Sequence, residues 1–189
     1  MAPLIPFTPR WLAARDRSRR ARAYVLAAFA EPDADDVTWL AGAGAAGDDD
    51  HARWELRYAR LAIAVLVAER DALDDRTGAE VVAAMRAAFA ADDRVAPDLR
   101  PLAERQLSER LQTYRDAFLA RGASGAGERM ARVLLSFASD GARSAGSPLA
   151  RATRVLSGYV DAANAALVAA YGPASLPDHL PPSEVAGRG

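Results

Sequence analysis

Trp54-Glu-Leu-Arg-Tyr-Ala-Arg-Leu-Ala-Ile-Ala-Val-Leu-Val-Ala68 is the stretch whose reading decides the fold. Read at a period of two, its second half alternates like a strand. Read at helical spacing, Trp54, Tyr58, Leu61 and Val65 form one stripe, and Leu56, Ile63 and Val67 form a second. Two apolar stripes on one helix leave few sides for water, so the spacing predicts a helix buried near the centre of a domain. Asp48, Asp49 and Asp50 precede it, where carboxylates suit the positive end of the helix dipole, and Arg70 marks its end.

Similar segments lie on either side. Thr8-Pro9 reads as an N-cap followed by proline at the first helical position, opening a helix that runs to about Ala30, before Pro32. Thr77-Gly-Ala-Glu80 reads as a capping box for a helix over Val81, Val82, Met85, Ala88 and Phe89. Asp98 is the expected cap of a helix carrying Leu107, Leu111, Tyr114 and Phe118, with Gly122 closing it. A further helix is expected from Glu128 to about Ala142, and a last one from Ser147-Pro148 to Gly172. The sum is an all-α fold, an antiparallel helical bundle of about five to seven helices with a long central buried helix. Residues 1–7 read as an N-terminal arm, 8–172 as a single helical domain, and 173–189, with four prolines, as a Pro-rich tail.

Composition narrows the chemistry. The chain has 189 residues, no cysteine, two histidines and no lysine, so all 24 of its basic side chains are arginine. Lysine nucleophiles, thiolates, disulfides and cysteine-bearing metal sites are therefore excluded. The arginine and alanine bias fits a GC-rich bacterial genome. A net charge of −1 makes no case for nucleic acid as a partner. Leu61–Ala68 is the most apolar run and is far below the ~20 residues of a membrane span, so a cytoplasmic protein is expected. Ser18-Arg19-Arg20 before an apolar stretch ending in Ala28-Phe29-Ala30 resembles a twin-arginine export signal, and we carry export as the minor alternative.

Gly42-x-Gly44-x-x-Gly47 has the spacing of the dinucleotide-binding fingerprint, and Glu69 lies about where an acid would meet a ribose. Asp48–Asp50 would then repel the pyrophosphate at the helix start, and no further strands follow. The segment reads instead as an Ala/Gly-rich hinge. Asp33-Ala-Asp35-Asp36 resembles the D-x-D-D pattern of some terpene cyclases. Asp71-Ala-Leu-Asp74-Asp75 resembles a reversed form of the magnesium-diphosphate motif of helical prenyl enzymes. No Glu-x-x-His pair supports a di-iron site, and no helix-turn-helix can be placed in residues 8–47.

No cofactor, catalytic residue or metal ligand is expected. The leading expectation is a non-catalytic helical interaction, adaptor or assembly protein, with a protein partner or a second copy of itself. The alternative is a small-ligand site for Mg²⁺ and a phosphorylated ligand, built from Arg57, Glu69, Arg70, Asp71, Asp74, Asp75 and Arg76, where acids and arginines meet the end of the buried helix. Arg15, Arg19 and Arg22 share a helix face and form a candidate interaction surface. Residues 1–30 hold six Arg against Asp16 alone, whereas residues 31–50 hold Glu31 and six Asp, so the two segments can neutralise each other.

Overall fold

A computed structural model describes residues 10–71, 75–139 and 147–173. They form α1 (Arg10–Ala28), α2 (Ala34–Ala43), α3 (Asp49–Asp71), α4 (Asp75–Ala90), α5 (Arg100–Leu119), α6 (Ala126–Ala138) and α7 (Ser147–Tyr171). No strand occurs among the described residues. The arm, most of the tail and the stretch after Ser139 expected to extend α6 lie outside the described residues.

The central helix is α3, and it touches each of the other six helices. Every residue from Leu61 to Ala68 is buried. Ala59, Ala62, Ala64 and Ala68 let neighbouring helices approach closely, while Leu56, Ile63 and Val65 supply the larger apolar area. Three neighbours run back along it. Tyr24 of α1 donates its hydroxyl to the Ala64 carbonyl at 2.6 Å, and Arg57 pairs with Glu31, just beyond that helix. In α4, Gly78 lies beside Glu69, and the ring of Phe89 lies 6.3 Å from that of Tyr58. In α6, the Phe137 carbonyl lies 3.0 Å from His51 Nε2, at the other end of α3 from Met130. Amphipathic partners with short connections pack antiparallel, as the patterning requires.

Several local expectations are corrected. Residues 34–43, to which the spacing assigns no element, form a helix. Asp33 caps it by accepting from the Asp35 N–H, and Val37, Leu40 and Ala41 face inward. The glycine-rich segment is the end of that helix and a turn: Gly44 is the C-cap, followed by Ala46 at φ 52° and Gly47 at φ 85°. A side chain at Gly44 would sit 3.3 Å from Ala138 Cβ, so the glycine lets α2 close on α6. Thr77 lies inside α4, and Glu80 reaches Arg17 of α1 at 3.0 Å. Leu99, with no side-chain cap bond, occupies the position expected of Asp98, and Ala120 ends α5 before Gly122. Proline at the first turn of α5 makes a capping side chain less necessary, because it removes one orphan N–H.

Candidate functional site

Of the residues expected to converge near the end of α3, Glu69 and the neighbours Arg70 and Asp71 form separate pairs. Glu69 binds Arg115 of α5 at 2.6 Å. Arg70 grips its neighbour Asp71 with two hydrogen bonds of 2.5 and 2.7 Å and lies over Phe118. Arg76 is exposed on α4. Asp74 lies outside the described residues, as does the side chain of Asp75, whose backbone opens α4. Arg57 is remote from them. It sits twelve residues before Glu69 on α3, roughly 18 Å along the axis at 1.5 Å per residue. Its partner there is Glu31, and its guanidinium lies over Trp54. Among the described residues, no three acidic or histidine side chains come together as a metal cluster would require. On α1, Arg15, Arg19 and Arg22 are exposed, and Arg19 is tied to Asp16.

Most other charges serve the fold. Glu31 follows α1 and is held by Arg57 and by Arg94 at 2.6 Å. The hydrogen bond from Arg57, ahead of that from Arg94, holds the Glu31 carboxyl below the usual carboxylate range. Arg94 also grips the buried Asp92 at 2.7 and 2.8 Å. Burial would raise the Asp92 carboxyl, but its bonds from the Arg94 side chain and backbone outweigh this and lower it. Deeper in the core, Arg110 of α5 binds Glu55 of α3 at 2.7 Å, and its guanidinium lies 4.3 Å from the centre of the Phe137 ring.

A different set of residues forms a concave site. Asp36 of α2, Arg60 of α3, and Arg151, Arg154, Val155, Gly158 and Tyr159 of α7 line an open groove of about 450 Å³. That volume falls within the range of about 300–1,000 Å³ typical of small-molecule sites. Two of the guanidiniums are set in place by aromatic rings. Arg60 lies 5.1 Å from the centre of Tyr159, and Arg151 lies 5.0 Å from that of Trp39. Arg60 uses Nη1 on the Ala30 and Glu31 carbonyls, and Arg151 uses Nη2 on the Asp35 carbonyl and Asp36. Each keeps other N–H donors without a partner among the described residues. Arg154 is exposed and has no ion pair or hydrogen bond among the described residues.

Beneath Arg60, the Tyr159 side chain is buried and its hydroxyl has no hydrogen-bond partner among the described residues. Burial raises the pKa of this phenol. Arg60 opposes that rise, and Asp36 and Asp33 add to it, so the hydroxyl keeps its proton and stays close to the charged rim. The groove was not legible from spacing because its three walls come from distant segments. Two sequence signals did exist. Arg151, Arg154 and Gly158 are spaced three and four apart on one helix, and Gly158 interrupts an otherwise strong helix former.

No protein-family model, curated protein or solved structure matches the chain. No described helix is long and apolar enough to cross a membrane.

Proposed function

We propose that this protein is a non-catalytic helical binding module that receives an anionic group in the groove between α2, α3 and α7. The reading takes its non-catalytic character from the leading expectation and its small charged ligand from the alternative, and it seats that ligand in the α7 groove rather than at Arg57 and residues 69–76. The observation that carries it is Arg154, a cation with no partner among the described residues, which lines one groove with two guanidiniums that lie 5.1 and 5.0 Å from the centres of aromatic rings. Arginine in such a frame binds carboxylate or phosphate through its fork and loses little freedom in doing so. It does not exchange protons near neutrality, and Tyr159 retains its proton, so the lining suits binding better than acid–base catalysis.

Thermal unfolding in sulfate, phosphate and acetate at constant ionic strength tests the reading. A ligand at ten times its Kd adds about 1.4 kcal/mol of stability, or roughly 3–6 °C for a chain of this size. That shift is expected for the wild type and lost in Arg154→Ala. No shift with any of the anions, or an equal shift in both proteins, refutes it.

A further inference from the structure

We infer that the anion taken by the groove is a small monocarboxylate with a short hydrocarbon chain, and that the chain lies in an alanine-walled cavity between α1, α3 and α7. The inference rests on the anion-binding reading and adds the ligand class. The cavity adjoins the groove, since Arg60 and Tyr159 line both. Beyond those two, its walls are Ala27 and Ala28 of α1, Ala64 of α3, and Ala162, Ala163 and Ala166 of α7, with Tyr24. Along α7, Arg151, Val155, Tyr159, Ala162 and Ala166 follow at steps of three or four. One side of the helix therefore runs from the charged groove into the apolar cavity.

Charge alone does not make a strong site here. Glu31, Asp33, Asp35 and Asp36 surround Arg60, Arg151 and Arg154, and Asp36 is already paired with Arg151. With positive and negative groups so mixed, the groove suits one negative charge beside Arg154 and gives it little affinity. The remainder has to come from apolar contact, which the cavity supplies. Alanine side chains offer water no hydrogen bond, and the Tyr24 hydroxyl is engaged on the Ala64 carbonyl at 2.6 Å. A hydrocarbon group gains affinity by displacing such poorly held water. The cavity measures about 20 Å³, room for about one or two groups the size of a methyl.

Tyr159 is the second observation. It is 8% exposed, its hydroxyl has no hydrogen-bond partner among the described residues, and its side chain is common to groove and cavity. A buried phenol without a partner is costly, and a carboxylate at that junction can accept its proton in a hydrogen bond.

Calorimetric titration of the full chain with acetate, butyrate, hexanoate, sulfate and butylammonium at constant ionic strength and pH 7 decides the matter. Each buried methylene is worth a factor of about four, so butyrate should bind about tenfold more tightly than acetate. Hexanoate should add little, because the cavity is short, and butylammonium should not bind. Ala162→Leu fills the cavity from an exposed position. It should leave acetate binding and the melting temperature unchanged while removing the gain from acetate to butyrate. Tyr159→Phe should weaken butyrate. If sulfate binds saturably and the carboxylates gain nothing with length, the inference falls while the anion-binding reading stands. If no anion binds saturably below about 10 mM, both fall. Butylammonium binding as tightly as butyrate, or an Ala162→Leu protein that keeps the full gain with chain length, also overturns the inference.

Discussion

Arg110 and Glu55 show how much depends on single side chains. Both lie in the core, where an unpaired charge is far costlier than an exposed one, and Tyr58 beside them is raised to about 12 by burial and by Glu55, against Arg110. Replacing Arg110 by Met should cost about 3–5 kcal/mol in urea unfolding, because it strands the Glu55 carboxylate. Adding Glu55→Met should recover most of that loss; if the double variant is as unstable as the single one, the stranded charge is not the cause. Asp92 carries a pH dependence. Its folded carboxyl is lowered, so its contribution is present above the ordinary carboxylate value and is lost as pH falls through the lowered one. Asp92→Asn should therefore cost about 1–3 kcal/mol at pH 7, and the gap to wild type should close below about pH 4. A gap that stays constant down to pH 3 would refute this account.

Between elements, end chemistry was the least legible part. Asp48 accepts from the N–H groups of Asp50 and His51, so the acidic run at the start of α3 is a cap as well as a dipole partner. Gly172, at φ 87°, ends α7 with its N–H on the Val168 carbonyl, also as its position indicates. Thr77–Glu80 and Asp98 have equally good cap spacing but are not used as caps, since tertiary packing sets where those helices begin. The helix at 34–43 went unseen because its buried face is only Val37, Leu40 and Ala41, too short a pattern to register as periodic. Its far end makes a clear prediction. Gly44→Ala should destabilise by about 1–3 kcal/mol, because its Cβ would crowd both Ala138 Cβ and the Ala138 carbonyl at 3.3 Å. An unchanged unfolding midpoint would show that α2 does not press on α6 as described.

At the scale of the whole molecule, everything is arranged around α3. Ala62 is fully buried on the helix that meets all the others, so Ala62→Leu should cost about 1–3 kcal/mol or more by overpacking. The same change at Ala162, exposed on α7, should stay within about 0.5 kcal/mol. Equal effects at the two positions would refute the central placement of α3. The sequence by itself determined the helical class, the burial of the Leu61–Ala68 stretch and the chemistry available, because periodicity and residue type act locally and need no partner. Which charges meet was decided only by the tertiary structure. Arg57 and Glu69 are near in sequence terms but lie on one rigid rod, which holds them apart. Arg60 and Arg154 are ninety-four positions apart, yet α3 and α7 pack side by side and bring them to one groove. Helix spacing along a chain is one-dimensional, whereas a site is made where separate helices cross, and that crossing is set by the fit of buried side chains from all of them at once.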